Sequence, residues 1–308
     1  MAQQPRLNAL RRAPSRGCGG FTLVELIAVM VIGAIVSTVV WRNIATPLRG
    51  FADIDRRAEL VATANLAAQR IARELRLALP NSVRVNADGS ALEFLSTVGV
   101  GRYRAEADPG DPTRDTLDLN RLTDTFEVLG PWPLVATPAT GTGGASDCMS
   151  GDGDCVVIYN TGNPQDCTAQ AAGTRTNAWC GDNLAQLTSV DAAAGTLGVD
   201  RSDQATAWPT GSPARRFYVV DTPVSFACRG GEVLRYAGYA IQPVQPDPPA
   251  VDGIPLAANV TGCRFSYEPG SATRAGLVVV RLTLAAVNLD GDAEPLTVLE
   301  QVHIPNSP

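Results

Sequence analysis

Gly20-Phe21-Thr22-Leu23-Val24-Glu25-Leu26 opens a run of twenty residues, 21–40, in which Glu25 is the one charged side chain. A stretch of that length and composition spans the hydrocarbon core of a bilayer as a helix, which takes about 20 residues. A carboxylate at the centre of such a helix costs about 2.5–3.5 kcal/mol, and less near the interface. Glu25 therefore calls for a specific partner. Upstream, residues 1–20 carry Arg6, Arg11, Arg12 and Arg16 and no acidic residue, a charge pattern that keeps this end on the cytoplasmic side. An ordinary secretory signal places its small-residue cleavage site after the apolar region. Here the small pair Gly19-Gly20 precedes it, so a cut at that pair leaves the apolar segment in the mature chain.

The glycine, the aromatic residue after it and the glutamate four positions on resemble the class III signal of type IV prepilins and pseudopilins. In that superfamily a dedicated peptidase cuts after the glycine. The resemblance implies cleavage between Gly20 and Phe21, N-methylation of Phe21 by the same enzyme, and a Glu25 that acts in assembly. In a filament of stacked helices the new amine of Phe21 and the Glu25 carboxylate would both be buried. Pairing the amine of one subunit with the carboxylate of its neighbour offsets part of the burial cost and fixes the axial register. A plain membrane anchor with an incidental glutamate is the competing reading. The implied partners are the prepilin peptidase/methyltransferase, other minor and major pilins, an inner-membrane assembly platform and membrane lipid. The implied location is the inner membrane, single-pass with a periplasmic head, and then a pilus on the surface of a Gram-negative bacterium.

Removal of residues 1–20 would take away four arginines and Cys18, leave 288 residues and move the formal charge from −6 to about −10. All 25 basic residues are arginine. An acidic body without a basic cluster argues against phosphate-backbone recognition, so no nucleic-acid partner is expected. Six cysteines remain: Cys148, Cys155, Cys167, Cys180, Cys228 and Cys263. An even number outside the cytoplasm points to disulfides, though sequence does not choose among the pairings. The expected set joins Cys228 to Cys263 between two strand-like segments, with Cys148–Cys155 and Cys167–Cys180 closing local loops. A zinc site competes weakly, because no C-x-x-C spacing occurs and His303 is the sole histidine.

Along the chain, Trp41 and Arg42 suit a membrane interface. Pro47 and Gly50 then predict a kink or local break. Phe51, Ile54, Ala58, Val61, Asn65, Ala68, Ile71, Leu75 and Leu79 recur at three- and four-residue steps, which predicts an amphipathic helix ended by Pro80. Residues 21–79 thus read as one helix, about 90 Å if straight at 1.5 Å per residue. Its halves are 21–46 in membrane or filament core and 47–80 against a sheet. Residues 82–85 and 91–95 flank Asn86-Ala87-Asp88-Gly89 as a hairpin. Further strands are expected at 101–105, 125–129, 155–159, 216–220, 224–228, 232–236, 260–267, 277–286 and 296–303. The insert 131–208, rich in Gly, Thr, Ala, Asp and Asn, reads as a long irregular stretch held by disulfides. The fold class is α+β and pilin-like: a long N-terminal helix packed on an antiparallel β-sheet with large loop inserts, the head occupying 81–308.

The catalytic signatures tested, G-x-S-x-G and H-E-x-x-H, are absent. With a lone histidine, most hydrolase triads would have to be built on His303. A non-enzymatic protein without cofactor or metal is expected. The aspartates at 147–154 and 290–292 lack the twelve-residue ligand spacing of an EF-hand and read as turn formers, with calcium the alternative. The size of the chain resembles minor rather than major pilins. Residues 73–85 and 302–308 are similar to minor pilins of the MshO type, which serve mannose-sensitive haemagglutinin (MSHA) pili. J-type pseudopilins of type II secretion and PilW-like minor pilins are close alternatives, and a membrane-anchored tip adhesin is a further one.

Overall fold

A computed structural model describes residues 20–132, 136–163, 165–271, 274–288 and 291–308. Arg6, Arg11, Arg12, Arg16, Cys18 and Asp290, all named above, lie outside the described residues. The chain forms two compact units, Met1–Asp55 and Arg56–Pro308.

The described part of the first unit is almost wholly helical. Helix α1 (Leu23–Leu75) has 53 residues, and its helical assignment continues through Pro47 and Gly50. Of the kink or local break expected there, no break in the helix occurs. Proline removes one rung of the hydrogen-bond ladder, and the rungs on either side carry the helix across.

In the second unit, α1 buries Leu60, Ala64, Ala67, Ala68, Ile71, Ala72 and Leu75. Phe51 and Ile54, each 67% exposed, and Val61, 38% exposed, are not on the packed face. Ala58 is exposed as well, and Asn65 is half-buried. Of the expected stripe, Ala68, Ile71, Leu75 and Leu79 are buried as expected, while its first five members are replaced on the packed face by Leu60, Ala64, Ala67 and Ala72. Small side chains let the helix backbone approach the strands, so contact here follows residue position more than residue size. The helix ends five residues before Pro80. Its last turn tightens through Leu77 N–H to the Glu74 carbonyl (2.9 Å) and Ala78 N–H to the Leu75 carbonyl (3.1 Å). Leu79 N–H then bonds the Leu95 carbonyl at 2.8 Å. Pairing with a strand has replaced helix propagation.

Twelve strands follow: β1 (Arg84–Val85), β2 (Ala91–Arg102), β3 (Thr123–Glu127), β4 (Cys155–Ile158), β5 (Leu184–Asp191), β6 (Thr196–Asp200), β7 (Arg216–Arg229), β8 (Glu232–Ala237), β9 (Ile254–Ala257), β10 (Val260–Glu268), β11 (Gly276–Val287) and β12 (Ala293–Ile304). Nine of them form one sheet with the path β1-β2-β7-β4-β5-β6-β3, and β8 joins β7 to β9. The other sheet is β10-β11-β12. The pairings between these strands are all antiparallel. The expected hairpin at 82–95 is present, with Arg84 opposite Glu93 and Val85 opposite Leu92. The meander expected from 216–236 has two strands rather than three. Residues 216–220 and 224–228 belong to the single strand β7, which pairs β4 up to Val220 and β8 from Val224. Pro223 sits between those two partners, where a missing N–H breaks no ladder bond to either. Gly230 and Gly231 turn β7 into β8 with φ of 59° and 80°, the double positive φ that a two-residue hairpin turn requires.

The insert 131–208 is not the irregular stretch its composition suggests. It supplies β4, β5 and β6 to the large sheet and a short helix α2 (Ala145–Ser150). Disulfides join Cys148 to Cys155, Cys167 to Cys180 and Cys228 to Cys263, with Cα separations of 5.3, 5.3 and 6.1 Å. The third ties β7 in the large sheet to β10 in the small one. One core gathers the buried residues of α1 with Phe94, Phe226 and Val233 of the large sheet and Val280, Leu282 and Val302 of the small one. A second core gathers Phe126, Phe217, Val156 and Leu187 on the large sheet.

Candidate processing and assembly site

At the start of the described chain, Gly20, Phe21 and Thr22 precede the helix, and Phe21 is 82% exposed. Thr22 Oγ1 accepts the Glu25 N–H at 3.3 Å, and the Thr22 carbonyl accepts the Leu26 N–H at 3.1 Å. Thr22 is thus the N-cap, and Glu25 stands at the third helical position. The spacing T-x-x-E carries this signal in the sequence, where it overlaps the start of the apolar run. A carboxylate in the first turn also complements the positive end of the helix dipole, by about 0.3–1 kcal/mol at an exposed site. Glu25 therefore has a local helix-starting role that does not depend on a neighbouring subunit. In the full chain the Phe21 nitrogen is a peptide nitrogen, so the amine required for a charge pair exists only after cleavage.

Leu23–Ile44 is long and apolar enough to cross a membrane, with mean hydropathy 2.6 and no buried residue in that apolar window. Two of its polar side chains return their hydrogen bonds to the helix. Thr38 Oγ1 donates to the Ile35 and Ala34 carbonyls (2.7 and 3.0 Å), and Asn43 Nδ2 donates to the Val39 carbonyl (2.8 Å). Hydroxyl and amide groups satisfied within the helix remove much of the cost of placing them in lipid. Trp41, 75% exposed, precedes Arg42 at the far end of the apolar run.

The head gathers charged residues whose roles the sequence reading did not assign. Glu93, fully buried on β2, accepts from Arg84 Nε at 2.5 Å and from the Tyr239 hydroxyl at 2.7 Å. Arg84 donates further to the Gln242 and Pro243 carbonyls, and its guanidinium lies 3.6 Å from the centre of the Trp179 ring. Burial raises the Glu93 pKa against the opposing pull of Arg84, and burial lowers that of Arg84. Burial also raises the Tyr239 hydroxyl. Every polar group in this triad is matched, which marks it as a structural lock. A hollow of about 330 Å³ beside it is lined by Asn81, Arg84, Gln165, Asn177 and Tyr267.

The aspartates at 147–154 serve turns and caps. Asp147 accepts the Gly144 N–H at 3.2 Å, and Asp154 accepts the Ala139 N–H at 2.9 Å. Desolvation pushes the Asp154 carboxyl up to about 6. Among the described residues no group of three or more His, Cys, Asp or Glu side chains is placed to hold a metal ion. His303 is an exposed residue of β12, opposite Leu277.

Residues 15–41 match the family model of the prokaryotic N-terminal methylation motif. The matched residues include the glycine, the aromatic residue, the N-cap and Glu25. The match supports a type IV pilin-like protein with a membrane-anchoring helix, processed by prepilin peptidase and assembled with other pilins. Pilin-like proteins with this motif are structural subunits. No curated protein and no solved structure matched the chain.

Proposed function

We propose that the chain is a minor type IV pilin that primes assembly of a pilus or caps its tip, in a pilus of MSHA type. The observation that carries this reading is the methylation motif on a wholly exposed apolar helix that continues into a head of two sheets and three disulfides. Cleavage falls between Gly20 and Phe21, and Phe21 becomes the methylated N-terminus. Residues 1–20 are the leader, 21–46 the anchor and filament core, and 81–308 the periplasmic or extracellular head. Glu25 pairs with the Phe21 amine of a neighbouring subunit. The similarity of 73–85 and 302–308 to MshO-type minor pilins, together with the size of the head, favours a minor subunit of that pilus.

The test is the number of surface pili per cell in a clean deletion strain and after complementation. Loss of pili restored by the gene supports the reading. Unchanged pili would move the assignment to a J-type secretion pseudopilin or to an adhesin dispensable for the shaft. Complementation with Glu25→Ala separates the roles of the site: the variant should insert and be cleaved yet fail to restore pili.

A further inference from the structure

The small sheet ends in an open edge. β12, twelve residues long, pairs β11 on one side and no strand on the other among the described residues. Its inward residues alternate with exposed ones, and the inward Glu300 faces α1 across a hollow of about 390 Å³ lined by Leu66, Arg70, Arg73 and Arg76. Arg76 also lines a second hollow of about 420 Å³, with Thr97, Val100, Arg216 and Pro305. The two hollows share Arg76 and together make an interrupted cleft along the end of α1, with Glu300 of β12 on one and Pro305 just beyond β12 on the other. Leu66 is 68% exposed on its rim.

The charges in the cleft are unbalanced. Arg70 pairs with Glu74 at 3.2 Å. Arg73 and Arg76 are exposed and make no ion pair or side-chain hydrogen bond among the described residues. Thr97 holds a buried hydroxyl with no hydrogen-bond partner. Unpaired arginines grouped beside an open strand edge stand out on a chain of formal charge −6. Guanidinium forks select carboxylates, and an unpaired strand edge selects extended backbone.

We propose that this cleft docks an extended acidic segment of another protein, added to β12 as a further strand with its inward carboxylates on Arg73 and Arg76. A strand added about 4.8 Å beyond β12 brings every second side chain to the α1 side. Pro295 and the inward Glu300 discourage indiscriminate pairing at the edge, so recognition depends on the arginines. This inference rests on the second unit, Arg56–Pro308, alone and stands whether or not the chain builds a pilus.

The test uses the full chain in non-ionic detergent and a blocked peptide of about nine residues with glutamate at every second position and valine or threonine between. The control peptide has the same composition with its glutamates consecutive. The alternating peptide should bind and slow amide exchange across 293–304, and the control should bind more weakly. The double variant R73Q/R76Q should lose about five- to tenfold in affinity, as two partly exposed ion pairs would give, with an unchanged unfolding midpoint. Absence of binding, equal binding of both peptides, or no protection in β12 would overturn the proposal. Saturation of the same arginines by phosphatidylglycerol vesicles without peptide would assign them to a lipid surface instead. Concentration-dependent protection of β12 without peptide would assign the edge to a second copy, which also overturns it.

Discussion

Replacing Arg84 by methionine removes one member of a buried ion pair and leaves the other. Glu93 has no exposed side-chain area and Arg84 has 19%, so solvent screens the pair little. Loss of one partner from such a pair costs about 3–5 kcal/mol, because the remaining charge stays desolvated. The sign of the pH dependence follows from the Glu93 carboxyl. Its folded pKa already lies above its ordinary value through burial, with Arg84 opposing, and removing Arg84 raises it further. A carboxyl raised on folding supports stability below its unfolded pKa, near 4.3, and that support is lost as pH rises toward the folded value. The cost of R84M should therefore be greatest at pH 7 and fall by pH 4 to about 1 kcal/mol, the scale of the lost hydrogen bonds. The Gln242 and Pro243 carbonyls are left to water in the variant. The assay is urea unfolding of the full chain in non-ionic detergent, disulfides intact, followed by near-ultraviolet circular dichroism at pH 4 and pH 7. The double variant R84M/E93Q should recover most of the loss at pH 7 and flatten the pH dependence, since a neutral amide can still accept from Tyr239. An equal loss at both pH values, or no rescue by E93Q, would refute the reasoning.

Other expectations rest on different parts of the structure. Leu75→Ala should cost about 2–5 kcal/mol in the same assay, since Leu75 is fully buried, whereas Leu66→Ala should change stability by less than about 0.5 kcal/mol, with Leu66 at 68% exposure. Equal effects would contradict the packed face described for α1. The double variant C228A/C263A opens a closure of 35 residues between the two sheets and should cost about 3–4 kcal/mol by the loop-entropy relation. C148A/C155A, which opens a separation of 7 residues, should cost less, and the reverse order would count against a loop-closure origin. Asp154 is 4% exposed with its carboxyl pushed up to about 6. Its contribution to stability is full below about 3.9 and lost as pH rises through the folded value. D154N should therefore stabilise the protein by about 1–3 kcal/mol at pH 7 and bring no gain at pH 4, as paired unfolding curves would show.

The N-terminal half of the account was written in local sequence. Twenty uncharged-but-one residues, a glycine before an aromatic, and a glutamate at fixed spacing need no tertiary context to be read. In the C-terminal third, β11 and β12 were legible because they alternate in and out, and β8 because Gly230-Gly231 marks the turn before it, whereas the four-residue β9 carries no such signal. What escaped has a common physical cause. The packed face of α1 mixes Leu60, Ile71 and Leu75 with four alanines that carry a weak periodic signal, while larger residues such as Ile54 and Leu66 stay exposed. β5 holds the fully buried polar residue Gln186 and β6 begins and ends in polar residues, so neither reads as a strand. β7 changes partner at residues 221–223, and a local reading takes that change for a turn. The Arg84–Glu93–Tyr239 lock includes a hydrogen bond between residues 146 positions apart, and no short window contains it.

The central claim, that this is a processed pilin-type subunit, is tested most directly by the intact mass of the chain recovered from cells that contain a prepilin peptidase. The expected species comprises residues 21–308 with one added methyl group at Phe21. A chain that still begins at Met1, or one cut within the apolar segment, would contradict it.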